Sequence, residues 1–272
     1  MANQISLTSG MRNNLLSLQK TSNMINTTQN RLSTGKKVNS PLDNPTNYFA
    51  AQSHMQRADD LSARKDGMAE AIQMVKAADA GITAISSLIE SAKGVAQAAL
   101  ATSNVSDRET YATTFNTLRT QIDKIAQDSG YRGTNLLNDA EQVVQFGQNT
   151  GDSTLTIEGF NASTATTGLN ISSATWTSDN TTITASSTQL EDAMNTLRSE
   201  SSKLSANLSV VTTRQEFTSS MINELKTGAD NLTLADMNEE GANMLMLQTQ
   251  QNLGVTSLSM ASQAAQAVMR LF

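Results

Sequence analysis

The chain has no cysteine, two prolines and one histidine in 272 residues, and only 4% of it is aromatic. Without cysteine there are no disulfides, thiolate metal sites or thiol nucleophiles, and a lone histidine, His54, removes most histidine-based catalysis. Both absences point away from an enzyme. Long hydrophobic runs are missing as well: no window approaches the ~18 consecutive apolar residues of a spanning helix, so membrane insertion is not expected. The start, MANQISLTSG, lacks the basic and apolar regions of a cleaved secretion signal, and a Sec-type export route is not expected. The 19 Lys and Arg are scattered and the formal charge is −6, which disfavours a nucleic-acid footprint, since that needs clustered positive charge.

Charge is unevenly placed. From Gly133 to Leu197 there is no Lys or Arg, while Asp139, Glu141, Asp152, Glu158, Asp179, Glu191 and Asp192 are all acidic. The flanks hold the other 18 of the 25 acidic residues against all 19 basic ones. The middle therefore carries the repulsion, and the flanks can approach copies of themselves at little electrostatic cost.

Pro41 and Pro45 fall in one short stretch, and proline breaks helices there by lacking an N–H and biasing its predecessor to extended geometry. Before it, Met11, Leu15, Leu18, Ser22, Ile25, Gln29 and Leu32 step 4-3 like a coiled-coil seam, closing at Gly35 as a C-terminal glycine. After it, Met68, Ile72, Val75, Ile82, Ile85 and Ile89 mark one stripe of a helix from about Ala50 to Leu100. Tyr111, Phe115, Leu118, Ile122 and Ile125 mark a second, with Asn104 or Ser106 as N-cap and Ser129-Gly130 as stop. These two helices read as an antiparallel pair.

Period two appears only at Gln142–Phe146 and Thr154–Glu158, with Gly147, Gly151 and Gly159 around them, which predicts a β-hairpin. Between Thr150 and Thr188, 19 residues are Ser or Thr. The few apolar residues there, Phe160, Leu169, Ile171, Trp176 and Ile183, suffice for a small β-rich appendage rather than a large core. Whether residues 160–189 fold stays open. Helical spacing returns at Leu190, Met194, Leu197, Leu204, Leu208, Val211, Ile222 and Leu225 and ends at Gly228. A last helix from about Leu234 places Met237, Met244, Val255, Leu258, Ala265, Met269 and Phe272 on one seam, diluted by Gly241, Gln248, Gln251 and Ser262.

The expected fold is mainly α: an elongated antiparallel helical rod or coiled coil with N- and C-terminal helices paired, plus a small hairpin and a minimal variable outer segment. A helix of about 50 residues spans roughly 75 Å. Residues 1–40 with 236–272 form the expected inner coiled coil, 41–140 with 190–235 the helical rod, and 141–189 the hairpin and solvent-facing segment. Seams so rich in amide and hydroxyl groups bury little apolar area against an ordering cost of ~1–2 kcal/mol per residue. The ends are therefore expected to be largely disordered in the monomer and to fold when neighbouring subunits complete the surface.

Residues 29–45, QNRLSTGKKVNSPLDNP, resemble the most recognisable segment of bacterial flagellins, N-R-L-S-[ST]-G-x-[RK]-[VI]-N-S-x-x-D-[DN]. The run Gly130 to Leu136, the QFGQN at 145–149, the ADMNEE at 235–240 and the ending ASQAAQAVMRLF resemble the same family, over nearly the whole chain except roughly 160–189. The resemblance implies a subunit that self-assembles into the flagellar filament, with no catalysis, no cofactor and no metal. It implies a homopolymer whose paired terminal helices line the inner tube, outside the cell. The implied partners are cap and hook-associated junction proteins, an export chaperone and the type III export apparatus, and neither nucleic acid nor membrane. A hook-filament junction protein shares similar ends and is the alternative; a non-polymerising secreted helical adhesin is the other class.

Met11, Leu15, Leu18, Ile25 and Leu32 with Met244, Val255, Leu258, Met269 and Phe272 are the candidate assembly contacts. Where the family often carries LQRVREL, read by the vertebrate innate flagellin receptor, the matching positions hold Leu88-Ile-Glu-Ser-Ala-Lys-Gly94. Glu90 replaces an arginine and Gly94 weakens the helix beside Lys93, so weak receptor activation is expected. In the Ser/Thr-rich span, Ser163, Thr164, Thr166, Ser172 and Thr181 are candidate acceptors for O-linked glycans, as flagellins often carry.

Rival chemistry fits poorly. His54 has no H-E-x-x-H context and reads as an exposed helix residue, and Gly35-Lys36-Lys37 lacks the earlier glycine and the hydroxyl of a phosphate loop. Asp59-Asp60 and Glu239-Glu240 sit about 100° apart on a helix and read as solvated faces. Asp43-Asn44 lacks the glycine and terminal Glu of a calcium loop.

Overall fold

The computed structural model describes residues 9–147, 153–177 and 179–269, without the side chains of 268 and 269. The elements are α1 (Ser9–Thr34), α2 (Pro45–Ala101), α3 (Val105–Asp128), β1 (Gln142–Gln145), β2 (Thr154–Ile157), α4 (Asn180–Thr233) and α5 (Met237–Met269). The fold is mainly α with one antiparallel hairpin among the described residues, as the sequence predicts. It divides into two compact units: residues to Gln56 together with those from Leu225, and Arg57–Glu224. The hairpin and the Ser/Thr-rich segment thus belong to the same unit as the middle of α2 and α4.

Helix boundaries follow from caps. Gly35 has φ +71° and donates its N–H to the Arg31 carbonyl at 2.8 Å, ending α1 as a left-handed glycine does. Asn104 caps α3 by accepting from the Ser106 N–H at 3.0 Å. Two boundaries differ from the sequence reading. Helix α2 starts at Pro45 rather than near Ala50, because a proline at the first helical position gives up an N–H that has no partner anyway. There Asn44 Oδ1 accepts from the Asn47 N–H at 3.1 Å. Helix α4 starts at Asn180, not Leu190, because Asp179 Oδ1 accepts from the N–H and hydroxyl of Thr181 at 2.9 and 2.6 Å. It also runs through Gly228 to Thr233.

In the unit Arg57–Glu224, one apolar cluster joins Met68, Ile85 and Ile89 of α2, Phe115 and Ile122 of α3, and Ile183, Leu190 and Leu197 of α4. The hairpin adds Val144 and Ile157, paired in the register Gln142↔Ile157 to Gln145↔Thr154. The chain after the hairpin is not a β-rich appendage, and among the described residues it contains no strand. After a turn over residues 163–169 it runs antiparallel to α3 as an irregular strap. Side chains of α3 read its peptide groups: Asp123 accepts from the Thr164 N–H at 2.7 Å and Arg119 donates to the Ile171 carbonyl at 2.8 Å. Asn116 donates to the Ala174 carbonyl at 2.9 Å and accepts from its N–H at 2.8 Å, and Arg108 donates to the Thr177 carbonyl at 3.1 Å. Trp176 is buried with its ring centroid 5.0 Å from that of Phe115, so the strap closes the core.

In the other unit, α1 and α5 pack antiparallel. Arg31 near the end of α1 meets Glu240 near the start of α5, and Asn14 Nδ2 donates to the Gly254 carbonyl at 3.3 Å farther along. The connection between α1 and α2 is an ordered turn. Asp43 Oδ2 accepts from the N–H groups of Asn39 and Ser40 at 3.0 and 2.9 Å, which hold its carboxyl below the usual aspartate value, Ser40 contributing most.

Candidate functional site

The seam between α1 and α5 is offset from the one read in the sequence. On α1 the buried and half-buried residues are Met11, Asn14, Leu18, Thr21, Ser22, Ile25, Thr28, Arg31 and Leu32, of which Met11, Asn14, Leu18, Thr21, Ile25, Thr28 and Leu32 step 3-4 where 4-3 was expected. On α5 they are Glu240, Gly241, Asn243, Met244, Leu247, Gln251, Gly254, Leu258, Ala261, Ser262 and Ala265. Met11, Leu18, Ile25, Leu32, Met244 and Leu258 therefore lie in the intramolecular seam. Leu15 and Val255, 44% and 56% exposed, lie outside it. The intervening places go to Asn14, Thr21 and Thr28; Leu15 and Gln29 are exposed, and Ser22 is half-buried. Met269 has no described side chain and Phe272 lies outside the described residues.

The offset has a steric basis. Gly254 lets Leu18 lie against the α5 backbone, and small Thr21 and Thr28 keep the helices close. Other large apolar residues are turned out of the pair. Leu15, Leu16 and Met24 on α1, and Leu245, Met246, Leu253, Val255 and Met260 on α5, are all exposed, with Leu16 and Leu253 each at 65%. Of these, Leu16, Met24, Leu245, Met246 and Leu253 escape the stripes read through Met11–Leu32 and Met237–Met269 because they lie on other faces of the two helices. The signal was present nonetheless: both helices carry large apolar residues on more than one face.

One ion pair orders the helix ends. Arg31 Nη1 donates to Glu240 Oε1 at 2.8 Å, and the Glu240 side chain is buried. This corrects the reading of Glu239-Glu240 as a solvated face: only Glu239 is exposed. Glu240 Oε2 is buried without a hydrogen-bond partner among the described residues. His54 is likewise half-buried rather than exposed, facing the bare Cα of Gly228.

The receptor-region residues lie on α2. Leu88 is half-buried, Glu90 and Gly94 are exposed, and Lys93 Nζ pairs with Glu191 Oε1 at 2.7 Å. Among the glycan candidates, Thr166, Ser172 and Thr181 are exposed and Ser163 is half-buried. Thr164 is buried, its hydroxyl donating to Asp123 Oδ2 at 2.9 Å, so the structure removes it as an acceptor. No described helix is long and apolar enough to cross a membrane.

The chain is similar to flagellin FljK of Caulobacter vibrioides, 30% identical over 99% of this chain and 98% of that protein. It is 27% identical to a flagellin of Brucella melitensis over 95% of each chain, and 25% identical to a flagellin of Listeria monocytogenes over 93% of this chain and 94% of that one. The crystal structure of Bacillus cereus flagellin is similar with a TM-score of 0.46 and 20% identity, over 56% of this chain and 88% of that one. None of these similarities favours the hook-filament junction or adhesin alternatives. Residues 5–142 match the bacterial flagellin N-terminal helical region and residues 187–272 the C-terminal helical region, so the chain belongs to the bacterial flagellin family.

Proposed function

We propose that this structural subunit of the flagellar filament polymerises through the apolar residues that α1 and α5 leave outside their own seam. The observation that carries the reading is that Leu15, Leu16, Leu245, Leu253 and Val255 are exposed while threonines occupy the seam. Neighbouring copies supply the missing apolar cover, at roughly 25 cal/mol per Å2 buried. Seam residues Met11, Leu18, Ile25, Leu32, Met244 and Leu258 hold the pair in register. Folding of the two ends is coupled to this packing. Hydrogen exchange tests the coupling: residues 9–34 and 240–269 exchange fast in monomers and slowly in filaments, and strong monomer protection rejects it.

The filament is extracellular in this reading. The chain reaches it unfolded through the flagellar type III apparatus with an export chaperone, and growth occurs between hook-associated junction proteins and a cap. It acts without catalysis, cofactor or metal. Exposed Thr166, Ser172 and Thr181, with Ser163, remain acceptors for O-linked sugar, and an intact mass of 29.0 kDa rejects that. Leu88, Glu90, Lys93 and Gly94 give weak innate-receptor activation, and reporter-cell potency equal to that of an enteric flagellin rejects it.

Electron microscopy after salt or seed addition tests assembly itself. The variant Leu16→Ser/Leu253→Ser keeps its monomer melting temperature and loses filament growth. Normal growth of that variant rejects these helix faces as the polymerisation surface.

A further inference from the structure

The two ends of the hairpin carry opposite chemistry. At the turn end, Phe146, Gly147 and Ser153 meet α2 and α4 around a pocket of about 230 Å3. Among the described residues, its lining includes Arg57, Leu61, Arg214, Phe217 and Met221 and no carboxylate. Arg214 lies 5.2 Å over the Phe146 ring, and Phe217 is 57% exposed. An apolar floor is thus rimmed by two guanidinium groups.

The open end is acidic. Extending the register Gln142↔Ile157 by one residue sets Glu141 opposite Glu158. The pairing continues beyond them, since Asp139 donates its N–H to the Phe160 carbonyl at 3.3 Å and Asn138 bridges Asn161. Like charges at directly opposed cross-strand places destabilise a hairpin. Both glutamates are exposed, as are Asp139 and, beside Glu141 on the same face, Val143. Lys203 stands near Glu158, but its ammonium is bonded to Glu200 Oε1 at 2.7 Å. At ~3.3 Å per residue, the five residues from Glu141 to Phe146 put the two ends roughly 17 Å apart.

We propose that the hairpin is a head-to-tail contact between copies of this chain: Glu141 and Glu158 of one copy seat on Arg57 and Arg214 of the next, with Val143 against Phe217. The match is one carboxylate per guanidinium around an apolar centre, and it relieves the repulsion at the glutamate pair. The contact is heterologous: each copy uses a different patch on each side, so the arrangement propagates as an open chain instead of closing as a dimer. It deepens the filament reading and rests on it, adding a second contact on the unit Arg57–Glu224.

Charge reversal tests it. Arg57→Glu/Arg214→Glu and Glu141→Lys/Glu158→Lys are made separately in the full chain, and polymer growth is measured alone and in an equimolar mixture. Each variant alone raises the critical concentration about tenfold or more, since like charges then face each other. The mixture grows as wild type does, because every contact in an alternating polymer is again complementary. That rescue also shows that both variants fold. Growth of either variant alone at the wild-type concentration, or a mixture that grows no better than its components, overturns this contact and leaves the helix-face reading standing. Wild-type protein that forms no filament overturns both.

Discussion

Leu18 of α1 is seated on Gly254 of α5: a Cβ added to that glycine would lie 2.7 Å from Leu18 Cδ2 and 3.1 Å from its Cγ. Gly241 in the same helix has nothing within 4 Å of such an atom. Alanine at either place gains about 1 kcal/mol of helix propensity, but only at 254 does it meet an overpacking cost of ~1–3 kcal/mol. Gly241→Ala is therefore expected to stabilise filaments against heat, and Gly254→Ala to fall short of it by that cost. Equal melting temperatures for the two would remove the close approach.

Arg31 and Glu240 are expected to respond unequally to loss of their partner. The Glu240 side chain is 8% exposed and that of Arg31 37%. Arg31→Met leaves a buried carboxylate without its cation, whereas Glu240→Met leaves an arginine that water reaches. Arg31→Met should cost roughly 1–3 kcal/mol more than Glu240→Met, read by denaturant unfolding of the assembled state. A double-mutant cycle with equal single losses would refute the asymmetry.

Asn116 pairs with both the N–H and the carbonyl of Ala174, two residues before Trp176, the sole tryptophan. Asn116→Ala strands an N–H and a carbonyl in the part-buried strap and is expected to cost about 1–3 kcal/mol for each group left unpaired. Tryptophan emission should shift to the red as the strap loosens from Phe115. Unchanged emission and melting would mean the strap is held by burial of Trp176 alone.

Asp43 makes the turn between α1 and α2 sensitive to acid. Its carboxyl is held below the ordinary value first by the Ser40 N–H and then by that of Asn39. A depressed folded-state value means that its contribution is complete above the ordinary aspartate range and is lost as pH falls through the lowered value. Asp43→Asn should flatten that part of the stability profile while leaving neutral-pH folding intact. An unaltered acid limb would assign the acid sensitivity to other carboxylates, such as Glu70, whose value Arg132 lowers, or Asp179, whose value Thr181 lowers.

Much of the fold is legible in residue order because local physics decides it. Gly35 and Asn104 mark helix ends through their own backbone or side-chain hydrogen bonds, and the alternation at 142–146 and 154–158 needs no distant partner to be seen. The start of α4 was hidden because Thr181, Thr182, Thr184 and Ser186 have weak helix propensity, and the Asp179 cap with burial of Ile183 overrides it. The strap was hidden for a different reason. Its peptide groups pair with side chains of α3 lying 41 to 69 residues away, and no local period announces such a pairing.

By itself the sequence determined that two terminal helices carry more apolar residues than one seam uses, that the middle is acidic, and that thiol chemistry is excluded. Which side chains face inward was a tertiary decision. The readings Met11-Leu15-Leu18 and Met11-Asn14-Leu18 are nearly equivalent in periodicity, differing only by a small rotation of the helix. Hydrophobicity favours Leu15, but the approach permitted by Gly254 and the small threonines favours Asn14, Thr21 and Thr28. Close packing between two backbones chose the rotation, and the leucines it displaced became the exposed surface.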